Sequence, residues 1–185
     1  MSTFRFAIMG AGNIAHQFCD AVTLVEDCEV SAIASKDLGR AQKFAEECSV
    51  AHAYDNYEQM LIEEKPDCVY IAVTPNDHFR LTMLCLEHRV PVLCEKAMFT
   101  NSAEAKAVFE KAEKDQTVVM EAMWSRFLPA VNQAKKWAAE GKIGRLEALQ
   151  GRIGFLAPEG ADNRYHSPLL CGGAATDITV YAYEI

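Results

Sequence analysis

Short apolar runs alternate with segments of helical spacing up to about residue 122, and this alternation restricts the fold more than any other feature. The predicted strands are residues 4–9, 29–34, 51–54, 68–73, 91–94 and 118–122. The predicted helices between them are residues 14–25, 38–48, 57–63, 78–88 and 102–114. Continuous apolar strands joined by helices are typical of a parallel sheet covered on both faces. We therefore expect an α/β fold with a doubly wound parallel sheet.

The pattern changes after residue 122, so we predict one domain over residues 1–122 and a second, partial one over residues 123–185. The second region contains a predicted helix at 129–141, a predicted strand at 146–155 and a loop at 157–171, before a last helical segment. A single strand leaves its ladder edges without partners. The region is therefore expected to be the beginning of an α/β domain with an open sheet.

A glycine-rich turn, Gly10-Ala11-Gly12-Asn13-Ile14-Ala15, follows the first predicted strand and opens the first helix. In a dinucleotide-binding fold Gly10 permits the tight turn, Gly12 lets the backbone approach a pyrophosphate, and Ala15 allows close packing of helix and strand. The helix N-terminus offers free N–H groups to the phosphates. Gly10, Gly12, Asn13 and Ile14 are predicted cofactor-binding residues, and a turn of small residues without a ligand is the alternative.

The end of the second predicted strand indicates which nucleotide is bound. An NAD site usually carries an acidic residue there, roughly 20 residues after the glycines, for the ribose hydroxyls. This chain has Ser35 and Lys36, with Arg40 one turn into the next helix. A hydroxyl and two cations suit a 2′-phosphate, so NADP is favoured over NAD. Asp37 is interpreted as a helix N-cap, with a ribose ligand as the alternative.

Polar residues also follow the fourth predicted strand, at the crevice where open sheets bind ligands. Thr74, Asn76 and His78 are predicted cofactor contacts, and Asp77 is predicted to cap a helix beginning at His78. For each residue taken singly, a purely structural turn is as good an interpretation. His78 alone is a weak catalytic candidate.

Charge and cysteine content exclude several classes of protein. A formal net charge of -8 and a pI of about 5.1 disfavour a nucleic-acid or membrane-surface binder, which needs a basic face. The 7 cysteines are scattered and form no C-x-x-C pair, so we expect reduced, mostly buried thiols and no metal site. We expect a cytoplasmic protein, because no signal-peptide pattern and no long apolar run is present.

The motifs GAGNIA, ASKDLGRA, TPNDHF and CEKAMFTN stand in an order that resembles the glucose-fructose oxidoreductase/inositol dehydrogenase (Gfo/Idh/MocA) family. The later segments EAMWSRFLPA, GKIGRL and CGGAATDITVYAYEI look closest to its dimeric dihydrodiol dehydrogenase and NADP-dependent xylose dehydrogenase branch. The resemblance implies a Rossmann domain followed by an α/β domain that commonly forms a dimer interface. It implies hydride transfer between nicotinamide and a hydroxyl carbon of a sugar, polyol or cyclic diol.

The resemblance gives a meaning to Glu95 and Lys96, which follow an apolar strand. Lys96 matches the family's catalytic lysine beside the nicotinamide, where it would favour the phenolate of a tyrosine, and Glu95 belongs to the same motif. A solvated strand-end lysine is the alternative. Ala97 stands where the family usually has proline, often preceded by a cis bond. A cis bond before alanine costs about 3 kcal/mol, which favours a trans bond here.

The resemblance also assigns residues in the second region. Asp177 and Tyr181 match the aspartate and the terminal acid/base residue of the family's G-G-x-x-x-D-x-x-x-[HY] pattern. Their i, i+4 spacing predicts one shared helix face, and helix packing is the alternative. Tyr181 would exchange the substrate proton while Asp177 orients the substrate or the lysine. Trp124, Arg126 and Phe155 are predicted substrate contacts, with plain core packing as the alternative for Trp124.

Two other functions remain open. A redox-sensing regulator or an inactive truncated relative would bind a dinucleotide without turnover, and family members are considerably longer chains. A structural Rossmann partner domain would explain the glycines but not the ordered site residues. The combination of Lys96, Asp177 and Tyr181 favours an enzyme.

Overall fold

The computed structural model describes residues 3–160 and 163–184. Residues 161 and 162 of the predicted loop 157–171, like residues 1, 2 and 185, lie outside the described residues. The chain divides into two compact units, one ending at Glu121 and the other beginning at Ala122.

The first unit is built on one parallel sheet of 6 strands. The strands are β1 Phe4–Met9, β2 Cys28–Ala34, β3 His52–Tyr54, β4 Cys68–Ile71, β5 Val92–Cys94 and β6 Val119–Glu121. The helices are α1 Asn13–Val22, α2 Leu38–Cys48, α3 Tyr57–Glu64, α4 Pro75–Glu87 and α5 Ser102–Asp115. The strand order β3-β2-β1-β4-β5-β6 is that of a doubly wound Rossmann sheet, which confirms the predicted fold class.

Helices cover both faces of this sheet, as the apolar strands require. On one face Met9 and Ile71 pack against Met60 of α3 and Leu81 of α4. On the other face the Phe18 ring of α1 stacks on Tyr70 with ring centroids 4.0 Å apart. Burial of such side chains contributes roughly 1.5–3 kcal/mol each and holds the strand ends in place.

Side-chain caps fix where three helices begin, namely α2, α3 and, through Asn101, α5. Asp37 accepts a hydrogen bond from the Arg40 backbone N–H at 2.8 Å, so its interpretation as the N-cap of α2 is confirmed. Asn56 caps α3 in the same way through the Gln59 N–H. Each such cap contributes about 1 kcal/mol.

The start of α4 differs from the prediction. The helix begins at Pro75, with Thr74 as its N-cap, and not at His78 behind an Asp77 cap. Proline lacks an N–H and has a fixed φ, so it suits the first turn of a helix. Asp77 therefore lies inside the first turn, where its carboxylate is directed to cations.

A buried carboxylate joins the start of the sheet to the end of α3. The Glu64 side chain is 5% exposed and accepts a hydrogen bond from Arg5 Nη2 at 2.8 Å. The Tyr54 hydroxyl donates to the other carboxylate oxygen at 2.7 Å, and His52 Nδ1 lies 2.6 Å from the same oxygen. The charge is thus buried with partners on both oxygens.

The second unit is helical in its described part. It contains a 3-10 helix at Trp124–Phe127, α6 at Pro129–Ala139, a second 3-10 helix at Pro168–Leu170, α7 at Ala174–Asp177 and α8 at Thr179–Glu184. The predicted strand at 146–155 is wrong, because these residues have no strand assignment. Among the described residues, every strand belongs to the sheet of the first unit. Residues 146–155 therefore have no strand of the second unit to pair with.

The predicted single helix over Asp177 and Tyr181 is interrupted. Ile178 has φ -129° and ψ -34°, which ends α7 before α8 begins. The Thr179 hydroxyl donates to the Ala174 carbonyl at 2.9 Å, a local bond that competes with regular helical pairing. The two residues therefore lie on two short helices, and the predicted shared face of one helix is wrong.

Candidate active site

The carboxyl ends of the strands meet at one edge of the sheet. Met9 pairs in register with Ala34 and with Ile71, and Ile71 pairs with Cys94. The turns that carry the candidate residues of the first unit follow directly after these aligned positions. Ligands of open α/β sheets bind in this crevice.

Gly10 and Gly12 form the turn for different reasons. Gly10 has φ +110°, and a Cβ there would lie 2.7 Å from the Ala72 carbonyl oxygen, so only glycine fits. At Gly12 the nearest atom to an added Cβ is the same oxygen at 4.0 Å, which leaves open space on the ligand side. Gly12 is the N-cap of α1 without a side-chain cap, and Asn13 and Ile14 are exposed in its first turn. The turn thus fits a pyrophosphate.

Ser35, Lys36 and Arg40 lie together after β2. Ser35 is buried, and its hydroxyl lies 3.5 Å from the Asp37 backbone nitrogen, whose N–H donates to it. Arg40 Nη2 donates to the Ala11 carbonyl in the glycine-rich turn at 3.2 Å, so this guanidinium links α2 to the turn. The arrangement places a hydroxyl and two cations directly after the carboxyl end of β2 and at the start of α2.

Lys36 is paired with an anion. Its Nζ lies 2.5 Å from Asp77 Oδ2, while Nε and Nη2 of Arg80 each lie 3.4 Å from Asp77 Oδ1. Burial alone raises the pKa of the Asp77 carboxyl, but Lys36 and then Arg80 outweigh burial and hold that pKa below its ordinary value. Sequence reasoning missed Arg80. Its i, i+3 spacing from Asp77 was the available signal.

His78 is placed differently from the exposed polar residues near it. Thr74 and Asn76 line the start of α4, half-buried and exposed respectively. The His78 ring is fully buried, with Nδ1 3.0 Å from the Ala97 carbonyl and Nε2 3.0 Å from the Val73 carbonyl. Burial lowers the pKa of His78, against the opposing effect of these carbonyls. This placement favours a role in joining two loops.

Glu95 and its neighbours fix the backbone around Lys96. The buried Glu95 accepts a hydrogen bond from the Tyr70 hydroxyl at 2.7 Å, and its other oxygen accepts from the Lys96 backbone N–H at 3.2 Å. On the other side His78 holds Ala97. Lys96 is half-buried between these two anchored residues, directly after the carboxyl end of β5.

The peptide bond between Lys96 and Ala97 is cis. The trans bond expected from the cost of a cis bond before alanine is therefore wrong. The Met98 N–H in the same loop donates to Glu121 Oε1 at 2.9 Å. The loop after β5 is thus tied to the end of β6 as well as to α4.

In the second unit Tyr181 is bound to Trp124. The indole N–H donates to the phenol oxygen at 2.9 Å, and the rings meet edge to face with centroids 5.6 Å apart. Tyr181 is buried, whereas Trp124 is 53% exposed. The tyrosine oxygen is held by a neutral donor, and Trp124 retains surface for another contact.

Asp177 lies next to a cation. Arg164 Nη1 is 3.4 Å from Asp177 Oδ1, and its guanidinium carbon lies 4.0 Å from the centroid of the Tyr165 ring. A Cβ at Gly172 would lie 2.3 Å from the Arg164 carbonyl oxygen, so glycine allows this loop to pack before α7. The double glycine therefore brings Arg164 to the aspartate.

The other two predicted substrate residues contact protein groups. Arg126 forms a double hydrogen bond with Glu184, with Nη2 and Oε2 2.7 Å apart. The hydrogen bond from Arg126 lowers the pKa of Glu184. Phe155 is 50% exposed and its ring meets Tyr165 edge to face. Of the three, Trp124 is the one that the structure brings to Tyr181.

Comparison with known proteins identifies relatives of both units. The model of the oxidoreductase family with an NAD-binding Rossmann fold (GFO_IDH_MocA) matches residues 4–123. A trans-1,2-dihydrobenzene-1,2-diol dehydrogenase from Mus musculus is 32% identical over an alignment of 185 positions, which covers 97% of this chain and 54% of the mouse protein. The chain thus spans about half the length of the curated relatives it matches.

Solved structures show the same fold. An NAD-binding protein from Listeria innocua superposes with a TM-score of 0.87 at 22% identity, over 98% of this chain and 53% of that one. A 3-ketoreductase from Actinomadura kijaniata, in complex with TDP-benzene and NADP, has a TM-score of 0.72 at 26% identity, over 78% and 44% of the two chains. Within residues 3–160 and 163–184, no helix is long and apolar enough to cross a membrane.

Proposed function

The chain belongs to the Gfo/Idh/MocA oxidoreductase family with its NAD-binding Rossmann fold, and on this premise we propose that it is an NADP-dependent dehydrogenase. It transfers a hydride between nicotinamide and a hydroxyl carbon of a sugar, polyol or cyclic diol. The observation that carries the proposal is the fixed position of Lys96, anchored on both sides by Glu95 and His78 at the edge that carries the glycine-rich turn.

The residues of the first unit fit NADP. The open side of Gly12 and the start of α1 suit the pyrophosphate, and Ser35, Lys36 and Arg40 suit a 2′-phosphate. A carboxylate that repels this phosphate is absent from the end of β2 itself, since Ser35 follows Ala34 there. The NADP-bound 3-ketoreductase from Actinomadura kijaniata is consistent with this choice.

The reaction requires two acceptors, because oxidation of an alcohol removes a hydride from carbon and a proton from the hydroxyl. Bound nicotinamide supplies the hydride acceptor. We assign the proton to Tyr181, which accepts it as a phenolate and becomes the phenol, with its oxygen held by the Trp124 indole; we assign substrate orientation to Asp177. Lys96 supplies a positive charge at the crevice that stabilises negative charge on oxygen.

The substrate class follows from the relatives. The mouse protein is named for trans-1,2-dihydrobenzene-1,2-diol, a cyclic diol. Trp124 offers an exposed aromatic face in the second unit that suits a ring substrate. We therefore propose a cyclic diol or an aldose as substrate.

The test is a fluorescence titration of the chain with NADPH and with NADH, followed by a turnover assay. The assay follows nicotinamide absorbance with NADP and a panel of trans-dihydrodiols, aldoses and inositols. We expect selective NADPH binding, a raised melting temperature and turnover of one class. A cooperatively folded chain that binds neither nucleotide would disprove the proposal.

A second candidate function is nucleotide binding without turnover. It is supported by the extent of the family match, which covers residues 4–123 and thus the dinucleotide-binding unit. Selective NADPH binding with no turnover across the panel would support this candidate. The titration and the turnover assay therefore separate the two functions.

A further inference from the structure

Asp77 joins two cations that come from different elements of the first unit. Lys36 follows β2 and contacts Oδ2, whereas Arg80 lies on α4 and contacts Oδ1. The Asp77 side chain is 16% exposed, but Lys36 and Arg80 are 66% and 55% exposed. The anion is thus held in the protein and the two cations extend into solvent beside it.

The buried side chain of Tyr57 lies near the charged groups of this cluster. The tyrosine is buried, which raises the pKa of its hydroxyl, while the positive charge of Lys36 acts in the opposite direction. Asp77 itself lies in the first turn of α4, where the helix dipole favours an anion. The Asp77 carboxylate is therefore held by its position in the helix and by its two cations before any ligand binds.

The cations keep donors for a ligand. A lysine ammonium has three N–H donors and an arginine guanidinium has five. One ammonium donor is directed to Asp77, and Arg80 uses Nε and Nη2 for the same carboxylate. The remaining donors are already held in place, so ligand binding orders fewer side-chain rotamers.

The net charge of the side chains at this end of the sheet favours a phosphate. Lys36, Arg80 and Asp77 together carry one net positive charge, and Arg40 at the same end of the sheet adds a second, which the Asp37 carboxylate at the N-cap of α2 offsets. A phosphate monoester carries a charge of about -1.5 to -2 at pH 7. With Arg80 this end of the sheet keeps a net positive charge while Asp77 and Asp37 remain ionised, whereas without Arg80 the net charge would be zero.

We propose that Arg80 is a third cation of the 2′-phosphate site and that Asp77 is the residue that positions Arg80 and Lys36 there. This inference rests on the proposed use of NADP. It adds a residue of α4 to a specificity site that the sequence placed at the end of β2.

The first test is Arg80→Gln, titrated with NADPH, NADH and adenosine 2′,5′-bisphosphate. We expect binding of NADPH and of the bisphosphate to weaken about fivefold, and NADH binding to stay within about twofold. Arg80→Lys keeps the charge and should restore part of the loss. Lys106→Gln removes an exposed cation of α5 and is the control for net charge.

The second test asks whether Asp77 acts through the two cations. We expect Asp77→Asn to lower the ratio of NADPH to NADH affinity about threefold in the unmodified chain. In a Lys36→Gln, Arg80→Gln background the same change should alter the ratio less than about twofold, because no partner remains to be positioned. Tighter NADPH binding by Asp77→Asn would show that the carboxylate opposes the phosphate and would overturn its positioning role.

The outcomes separate this inference from the proposed function. Selective NADPH binding that Arg80→Gln leaves unchanged overturns the role of Arg80, while the proposed NADP-dependent function stands. Equal affinity of the unmodified chain for NADPH and NADH overturns both the inference and the choice of NADP. Equal weakening of NADPH and NADH by Arg80→Gln shows a structural effect and also overturns the inference.

Discussion

The indole N–H of Trp124 donates a hydrogen bond to the hydroxyl oxygen of Tyr181, with Nε1 and Oη 2.9 Å apart. The bond joins a residue just after the sheet-bearing unit to one on the last described helix, within the second unit. In this bond the phenol oxygen of Tyr181 accepts and does not donate, so the bond does not use the hydroxyl proton. This geometry makes Tyr181 the residue to test for proton exchange.

Tyr181→Phe should reduce turnover at least about a hundredfold, because the ring stays but the exchangeable proton is lost. NADPH affinity should stay within a few fold. Steady-state kinetics and fluorescence titration measure the two effects. Tyr183→Phe, on the same helix and 88% exposed, is the matched control and should leave turnover unchanged. Normal turnover by Tyr181→Phe would remove this residue from the mechanism.

Lys96→Met should abolish turnover and leave NADPH affinity within a few fold. Methionine keeps the length of the side chain but lacks the charge that stabilises oxygen in the transition state. Single-turnover absorbance at saturating NADP and substrate measures the step directly. Lys106→Met serves as the control for loss of a lysine, and a Lys96→Met enzyme with normal kcat would refute the assignment.

Glu64→Gln should lower the free energy of unfolding by about 1–3 kcal/mol, since Arg5 and His52 lose the charge of a partner that is 5% exposed. Urea unfolding followed by circular dichroism measures the loss. Glu58→Gln, on the same helix and 59% exposed, should change stability by less than about 0.5 kcal/mol. Equal effects of the two variants would argue against a buried-network role for Glu64.

His78 should make stability fall at mildly acidic pH. Burial lowers its pKa from the ordinary 6.5, so below pH 6.5 the unfolded chain binds a proton that the folded chain excludes. Its contribution is complete above pH 6.5 and is lost as the pH falls toward the lowered value, by up to about 1.4 kcal/mol per pH unit.

Urea midpoints at pH 7.5 and 5.5 measure this dependence. His78→Gln has no titratable ring and should show a smaller decrease between the two pH values, although its stability at pH 7.5 is lower. The same decrease in both proteins would assign the pH dependence to other groups.

Much of the first unit could be predicted from local signals. The apolar run of β1 and the caps Asp37 and Asn56 each act within a few residues, so the sequence alone marks where these elements lie. The glycine-rich turn can be predicted in the same way. The close Ala72 carbonyl leaves no room for a side chain at position 10, so the turn requires the glycine that the sequence shows there. Ser35 and Lys36 are predicted as cofactor contacts from their spacing of roughly 20 residues from the glycine-rich turn.

The remaining features depend on contacts that spacing does not encode. Residues 146–155 alternate as a strand does, but a strand forms only beside a partner. Helix α4 begins at Pro75 and not at the predicted His78, because the first turn of a helix tolerates proline. Arg80 joins Lys36 only through the carboxylate of Asp77, which no local pattern reveals. Sites assembled from distant elements are the ones that sequence reasoning misses.

The central position of β1 has a consequence for biosynthesis. Its first residues leave the ribosome before any partner exists, and Phe6 pairs with Cys68 of β4 only after the intervening segment has been made. At roughly 5–20 residues per second, that delay is on the order of seconds. The edge of β1 that pairs with β4 therefore stays open throughout this interval, although β2 is made earlier and pairs with the other edge. Chaperone demand during translation should thus be greatest before β4 emerges.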